Sequence, residues 1–345
     1  MKQTMSRETL RLIDLEQPRP GFSRFISSWL LQTGGSNILV DPGPSATIPT
    51  LIRTLAAFKV RRLDWILLTH VHIDHGGGVA ELLDAYPGTP VVCHPRGMEH
   101  VANPEKLWEV SLKNLGWIAE MYGRPRPVPA ESLLFRERFE TAGGTIECID
   151  TPGHAPHHLA FRVGGIVFTG EAAGIYLGLD NGFYLRVGAP PGGFHYPAYR
   201  RSLETIASLD ASLLCFAHWG CTEKCREIMN TAIEQADLWM ELSVKHAGAE
   251  GGKFEERVLE ELLERDPGLA RLSTLPDEVR LRVGKYGPYV ERGEEKGNLG
   301  EDVAPDELDL AMAEVLLAAP SGDRVLGRHP ESGLDIVARS GRYGP

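Results

Sequence analysis

The feature that most constrains this chain is a run of potential metal ligands directly after a short apolar segment. Thr69-His70-Val71-His72-Ile73-Asp74-His75 is followed by three consecutive glycines. Neutral imidazole and carboxylate are the usual protein ligands of zinc and related divalent ions. Side chains two apart in an extended segment point to the same side, so His70 and His72 can bind one ion together. Asp74 and His75 then lie at the turn into a helix, where they suit a second ion.

Other polar side chains follow apolar, strand-like segments elsewhere in the chain. Each stands just past the predicted end of a strand, so we expect them to meet at one edge of a sheet. Rigid strands that deliver polar groups to one edge are a common way to build a functional site. These residues are Asp41, His154, Glu171 and His218.

Taken in order, these motifs resemble those of the metallo-β-lactamase superfamily, which includes glyoxalase II and lactonases. The resemblance covers roughly residues 10–225 and implies an α/β fold, an αββα sandwich. Glu171 stands where the family usually has a bridging Asp, so it is open whether this residue bridges two ions, binds one or weakens one site. The resemblance implies one ion held by His70, His72 and His154 and a second held by Asp74, His75 and His218.

The resemblance implies a metal-dependent hydrolase that acts on a small ester, thioester or lactone through a hydroxide activated by two divalent ions. Zinc is the expected metal, while iron and manganese suit the same nitrogen and oxygen ligands. Asp74 is the expected catalytic residue, because its carboxylate can orient the nucleophile and pass a proton to the leaving group. Two alternatives stay open: an iron-dependent oxidoreductase resembling persulfide dioxygenases or flavodiiron proteins, and a nuclease resembling ribonuclease Z.

Several residues near the ligands are candidates for supporting roles. Asp41 and His158 are expected to orient the ligands, because ligating groups need hydrogen-bonding partners. A stretch rich in Gly, Pro and Tyr separates Glu171 from the last ligand in the sequence. We therefore expect His195 and Tyr196, within this stretch, to contact the substrate.

Residues 95–140 interrupt the pattern of core strands. A helical periodicity near Leu107 is followed by a proline-rich segment that ends any helix. In the family, insertions here often cover the metal cleft, which makes Trp108, Trp117 and Tyr122 candidate pocket walls. Packing of the insertion against the body is the alternative.

Composition limits the cellular setting and the partners. A chain of 345 residues with 42% apolar and 24% charged residues is long enough for one large domain and an appendage. The net charge of −11 argues against polyanionic partners, so a small-molecule substrate is expected. No segment reads as a signal peptide or a membrane span. Five cysteines without a small-scaffold spacing favour a reducing, cytoplasmic location.

The sequence changes character after His218. Residues 224–246 and 254–263 have the spacing of amphipathic helices. Such helices either mediate self-association or cap the domain. We expect a homodimer.

The C-terminal part resembles another family. Gly284-Lys285-Tyr286-Gly287-Pro288-Tyr289-Val290 is echoed by Gly341-Arg342-Tyr343-Gly344-Pro345, as in the C-terminal repeats of bacterial type IA topoisomerases, which contact single-stranded DNA. Residues 275–345 hold 9 Lys and Arg against 14 Asp and Glu, a net charge of −5. Binding of nucleic acid normally needs a positive surface, so it is not expected, although the tyrosines could stack on bases. We predict a catalytic domain over 1–272 with C-terminal helices, and a small α+β module over 273–345.

The predicted boundary can be tested by truncation. We expect a chain that ends at Leu272 to fold and to keep its metal, because all the ligand motifs and both helices precede it. Metal content and hydrolysis of a small ester should stay within a few-fold of the full chain. A soluble, metal-loaded but inactive truncated chain would contradict the boundary and assign the module a part in the active site.

Overall fold

The computed structural model describes residues 9–19, 22, 25–179, 182–190, 193–248, 253–266, 279–284, 287–293, 295–299, 308, 310–318, 324–328 and 335–338. The chain forms two compact units. The first comprises Met1–Pro18 and Phe22–Val258, and the second comprises Arg19–Gly21 and Leu259–Pro345. The predicted boundary between Leu272 and Ser273 lies outside the described residues and stays a prediction.

The first unit contains two mixed six-stranded sheets. The first sheet contains β1 (Thr9–Asp14), β2 (Ser27–Thr33), β3 (Ser36–Val40), β4 (Trp65–Leu67), β5 (Val91–Val92) and β6 (Leu133–Leu134). Its strands are hydrogen-bonded in chain order, antiparallel from β1 to β3 and parallel from β3 to β6. In the parallel part of the sheet, from β3 to β6, the carboxyl ends of the strands lie at the same edge.

The second sheet follows in the chain. Its strands are β7 (Arg138–Thr141), β8 (Gly144–Asp150), β9 (Leu159–Val163), β10 (Ile166–Gly170), β13 (Leu213–Phe216) and β14 (Cys221–Thr222). Between β10 and β13, a hairpin consists of β11 (Ile175–Leu179) and β12 (Gly182–Arg186). The sheet order is β14-β13-β10-β9-β8-β7, and only β10 and β13 are parallel.

Helices connect the strands. Those in the first half are α1 (Ile48–Ala57), α2 (Ile73–Gly76), α3 (Val79–Ala85), α4 (Pro95–Ala102), α5 (Glu105–Leu115) and α6 (Trp117–Tyr122). The later ones are α7 (Tyr196–Ser208), α8 (Cys225–His246) and α9 (Lys253–Arg265). None of the helices in the described part of the chain is both long and apolar enough to cross a membrane.

The two sheets pack face to face, because successive side chains of a strand point to opposite faces. Leu31 and Val40 of the first sheet share a buried cluster with Phe161 and Phe168 of the second. Leu30, one residue from Leu31, belongs instead to the cluster beneath the helices. Burial on both faces explains why these strands read as nearly continuous apolar runs.

Helices cover the outer faces of both sheets. Leu51 of α1 and Leu82 of α3 pack in the cluster on the outside of the first sheet. Leu203 of α7 and Ala232 of α8 pack with Leu214 on the outside of the second. These four layers confirm the predicted αββα sandwich. The apolar face of α8 caps the domain, while the homodimer stays a prediction.

The second unit is a small α+β assembly. Its described elements are β15 (Arg280–Gly284), β16 (Gly287–Arg292), β17 (Glu295–Asn298), α10 (Leu310–Ala318), β18 (Arg324–Arg328) and β19 (Asp335–Ala338). Strands β15 to β17 form an antiparallel sheet, and β18 pairs with β19. Val290 and Ala313 are fully buried in a shared apolar cluster. Tyr286 and the echoed Gly341–Pro345 motif lie outside the described residues.

Candidate metal centre

All seven predicted ligands lie just past the ends of strands. His70 and His72 occupy the loop after β4, rather than the strand itself, while Asp74 and His75 lie on the short helix α2. The three remaining predicted ligands follow β8, β10 and β13 in the second sheet. The structure brings these side chains into two neighbouring groups: His70, His72, His154 and Glu171, and Asp74, His75 and His218.

The first group has the spacing of ligand atoms that face one ion. The Nε2 atom of His154 lies 2.8 Å from Oε2 of Glu171 and 3.1 Å from Nδ1 of His72. The Nε2 atom of His70 lies 3.3 Å from the same carboxylate oxygen. Tetrahedral ligands about 2.0–2.1 Å from a zinc ion are roughly 3.3 Å from one another. The four side chains therefore fit a single ion.

The second group lies beside the first, and Glu171 contacts both. The Oδ2 atom of Asp74 lies 3.3 Å from Nε2 of His75 and 3.7 Å from Nε2 of His218. The carboxylate oxygens of Glu171 lie 3.6 Å from the Nε2 atoms of both histidines, Oε2 beside His75 and Oε1 beside His218. One carboxylate is thus shared between the two groups.

Two of the ligand atoms are buried without a hydrogen-bonding partner. The Nε2 atoms of His70 and His75 make no hydrogen bond to any described residue, although carboxylate oxygens lie 3.3 Å away. Unpaired polar atoms in the interior are costly unless something else satisfies them. The donor set of imidazole and carboxylate suits zinc, iron or manganese, so the residues present fit divalent ions.

Backbone carbonyls orient two of the histidines. Nδ1 of His154 lies 2.8 Å from the carbonyl oxygen of Gly188, and Nδ1 of His218 lies 3.0 Å from that of Phe25. A carbonyl oxygen only accepts, so Nδ1 donates in both rings. The Nε2 lone pairs are left to face the site, as ligation requires.

Asp41 is hydrogen-bonded to the loop that carries the candidate ligands His70 and His72. Its carboxylate accepts hydrogen bonds from the backbone N–H of Thr69 at 2.8 Å and from the Thr69 hydroxyl at 2.7 Å. That hydroxyl lies 3.1 Å from Nδ1 of His70, and Asp41 Oδ2 lies 3.5 Å from Nδ1 of His75. Asp41 has φ 50°, a left-handed conformation that is strained for a non-glycine residue and that clusters at functional sites.

His158 forms a hydrogen bond with the backbone of Glu171 and not with the imidazole of a candidate ligand. Its Nε2 accepts the backbone N–H of Glu171 at 3.1 Å, and its Nδ1 lies 2.9 Å from the Thr151 hydroxyl. Gly170, just before Glu171, has φ 55°, and a Cβ there would lie 2.4 Å from His158 Nε2. This glycine permits the close approach on which the hydrogen bond depends.

Burial keeps several imidazoles neutral. Burial, followed by the neighbouring His75 and His72, lowers the pKa of His70 well below its usual range. Burial, followed by His154, lowers the pKa of His72 to about 3. Both rings are therefore uncharged at neutral pH, with a lone pair available to an ion.

The carboxylates favour positive charge in the same space. Burial alone would lower the pKa of His75, but Asp74 and Asp41 outweigh it and raise that pKa well above its usual range. Burial alone would raise the pKa of Glu171, but His154 and other imidazoles outweigh it and lower that pKa well below its usual range. A site that attracts a proton so strongly attracts a cation for the same electrostatic reason.

A cavity of about 560 Å³ opens beside the two ligand groups. Asp74 and Glu171 line it, and so does Tyr122, one of the three predicted wall residues. Trp108 and Trp117 are not among the described lining residues. The apolar part of the lining includes Phe22, Phe25, Leu107, Val110, Leu115 and Ile118.

The predicted substrate contacts of His195 and Tyr196 have no support from the cavity. Neither residue is among its described lining residues. His195 instead caps α7 by accepting the backbone N–H of Ala198, and the Tyr196 hydroxyl donates to Asp237 at 2.6 Å. Their contact with substrate stays a prediction.

Sequence reasoning missed the residues that reach the site from distant segments. Phe25 and Gly188 orient ligands through backbone carbonyls, which no side-chain pattern reveals. Arg186 lines the cavity from the end of β12. Its position in the stretch between Glu171 and His218 was the available signal.

The second unit is similar to a repeat found in DNA topoisomerases. The topoisomerase C-terminal repeat family matches residues 276–324. DNA topoisomerase 1 of Streptomyces coelicolor is 55% identical over 75 residues, which are 20% of this chain and 8% of that protein. DNA topoisomerase 1 of Mycobacterium tuberculosis is 49% identical over 76 residues, 19% of this chain and 8% of that protein. The chain thus spans only a small part of these topoisomerases.

The first unit matches a different family. The metallo-beta-lactamase superfamily matches residues 22–218. The metallo-beta-lactamase fold-containing protein ST1585 of Sulfurisphaera tokodaii is 32% identical over 192 residues, 53% of this chain and 68% of that protein. Its crystal structure, from the organism there named Sulfolobus tokodaii, superposes with a TM-score of 0.58 at 25% identity, over 77% of this chain and 100% of that one.

A second solved structure supports the same fold. A metallo-beta-lactamase family protein from Thermus thermophilus gives a TM-score of 0.53 at 23% identity, over 82% of this chain and 98% of that one. The matched region contains every one of the seven candidate ligands. The chain therefore belongs to the metallo-β-lactamase superfamily, with its hydrolase-like fold and a cluster of side chains able to bind divalent metal ions.

Proposed function

We propose that the chain is a metal-dependent hydrolase of small esters, thioesters or lactones that uses two divalent ions. The observation that carries the proposal is the contact of the Glu171 carboxylate with both groups of ligand atoms, at 2.8 Å from His154 and 3.6 Å from His218. A carboxylate between two ligand sets is the arrangement that holds two ions close together. Zinc is the proposed metal, with iron and manganese compatible with the same donors.

The residues of the site have different roles in the proposed reaction. His70, His72 and His154 would hold one ion, Asp74, His75 and His218 would hold the other, and Glu171 would contribute its carboxylate to both. When bound, the ions supply a hydroxide at neutral pH and polarise the substrate oxygen. Asp74 lines the cavity with 18% of its side chain exposed, so it can accept a hydrogen bond from the attacking water. Asp74 would then take a proton from this water and pass it to the leaving group.

The cavity and the cysteines support a choice of substrate class and of cellular location. A small, largely apolar cavity suits a small organic substrate better than a nucleic acid, which supports a hydrolase over a ribonuclease Z-like nuclease. All five cysteines are free, which supports a reducing, cytoplasmic location. Iron content with consumption of oxygen would favour the oxidoreductase instead.

The first test of the metal centre concerns stoichiometry. Protein purified without added metal should contain about two transition-metal ions per chain by elemental analysis, because both ligand groups are complete. His154→Ala should lower that number and the esterase rate together. His246→Ala on the outer helix α8 is the control and should change neither. Full metal content and full rate in His154→Ala would disprove the site.

The second test concerns the bridge. Glu171→Gln keeps the size of the side chain but removes the charge that both groups share. We expect it to lose one ion preferentially and most of the rate, because the carboxylate both neutralises charge and fixes the separation of the ions. Glu204→Gln, on the exposed surface of α7, is the matched control. Normal metal content and turnover in Glu171→Gln would leave Glu171 with a purely structural role.

The third test concerns orientation of the ligands. Asp41→Asn retains a residue type that tolerates φ near 50° but removes a charged acceptor for Thr69 and His75. Metal affinity should fall about 10- to 100-fold, as for other orienting partners, when measured by competition with a chelating dye. Asp210→Asn, in an exposed loop, should leave affinity unchanged. Equal affinities in both variants would contradict the role of Asp41.

A further inference from the structure

Two basic side chains line the same cavity as the candidate metal ligands. Arg186 ends β12, and Lys106 lies in the first turn of α5. Neither forms an ion pair with any residue in the described part of the chain, whereas Arg126 and Arg200 on the outer surface do. Both side chains are exposed, and the two carboxylates of the cavity lining, Asp74 and Glu171, belong to the candidate ligand groups. Guanidinium and ammonium groups in this position suit an anionic ligand.

The wall formed by α5 and α6 is largely apolar although solvent reaches it, and Ser111 and Asn114 are polar members of this wall. Leu107, Val110 and Ile118 face the cavity together with Phe22 and Tyr122. Val110 retains 47% exposure, which is unusual for an aliphatic side chain on a helix that also packs against the core. Covering such a surface with an apolar group of the substrate releases water and is favourable. A purely polar substrate would leave this apolar surface in contact with water.

We propose that the preferred substrate is amphiphilic: an ester or thioester whose acyl chain lies along the α5–α6 wall and ends in a carboxylate or phosphate group bound by Arg186 and Lys106. This inference rests on the proposed hydrolase function. A cavity of about 560 Å³ is within the range that encloses small organic ligands. In the reaction, the water oxygen bonds to the acyl carbon, the bond to the alcohol or thiol breaks, and the departing group takes the proton that the water gives up. No other reactant is needed.

The anionic group can be tested with esters of matched length. The full-length, metal-loaded protein is given p-nitrophenyl hexanoate, the p-nitrophenyl monoester of adipic acid, and an analogue whose acyl chain ends in phosphonate. We expect kcat/KM to be at least about tenfold higher for a charged ester than for the neutral one, because charge-assisted hydrogen bonds contribute at this level. The better of the two charged esters distinguishes carboxylate from phosphate.

Variants assign that preference to the cations. Arg186→Gln should abolish most of the preference, because KM for the charged ester should rise at least about tenfold more than KM for the neutral ester. Combination with Lys106→Gln should remove what remains. Arg201→Gln, an exposed arginine of α7, is the matched control. Equal kcat/KM for charged and neutral esters in the wild type, or an equal loss for both in Arg186→Gln, would overturn the inference.

The apolar wall has its own test. Val110→Glu places a charge on an exposed position, so the protein should still fold. It should lower kcat/KM for p-nitrophenyl hexanoate about tenfold or more relative to the acetate ester, because the longer chain loses its apolar contact. Val244→Glu, at a position 63% exposed on α8, is the matched control and should keep the wild-type ratio. An unchanged ratio in Val110→Glu would contradict the placement of the chain along this wall.

A binding measurement separates this inference from the proposed function. Hexanesulfonate combines an apolar chain with an anion that ligates metals poorly, and its binding to the full-length protein is measured by calorimetry. We expect saturable binding that weakens about tenfold in Arg186→Gln. Binding of this kind without hydrolysis of any ester would refute the hydrolase and retain the amphiphilic site. Ester hydrolysis without binding that depends on Arg186 would retain the hydrolase and refute the site.

Discussion

The contact of the Glu171 carboxylate with the surrounding imidazoles is the interaction on which the rest of the site depends. Isolated charges are costly to bury, by several kcal/mol each after relaxation. Glu171 is only 6% exposed, yet His154 and His218 hold its pKa well below the usual range, so it stays ionised. The two sheets pack face to face through apolar side chains. This rigid packing holds Glu171 and the surrounding imidazoles at fixed separations.

The grouping of the candidate ligands could be predicted because its signal in the sequence is local. Each stands within a few residues of an apolar strand, and strand ends of the same sheet edge meet in space. His70, His72 and His154 were expected together, and their ligand atoms lie within 4.8 Å of one another. Asp41 and His158, which were expected to orient the ligands, form hydrogen bonds with Thr69 and Glu171, and their orienting role stays a prediction.

The cavity could be predicted only in part, because its lining comes from segments far apart in the chain. Residues 95–140, which contain α5 and α6, were a candidate cover for the cleft, with packing against the body as the alternative. The periodicity of one helix does not say which of its faces meets the candidate metal ligands. Phe22 and Arg186 both line the cavity although they are far apart in the sequence of the first unit. The positions of His195 and Tyr196 in the sequence suggested contact with the substrate. In the structure, His195 caps a helix and Tyr196 donates a hydrogen bond to Asp237. Hydrogen-bonding side chains near helix ends have local uses that compete with a role in binding.

Glu171 stands where the family usually has a bridging Asp, and the backbone around it is closely held. Gly170 lets His158 reach the Glu171 N–H, and a Cβ at Gly188 would lie 2.6 Å from the Glu171 carbonyl oxygen. With the backbone fixed on both sides, the reach of the side chain is set by its length. The extra methylene adds a torsion that must be frozen, at a cost of a fraction of the roughly 1.5–2 kcal/mol that a fully buried Glu side chain loses in entropy. In return, the carboxylate lies 2.8 Å from His154 and 3.6 Å from His218, so one residue reaches both groups of ligands.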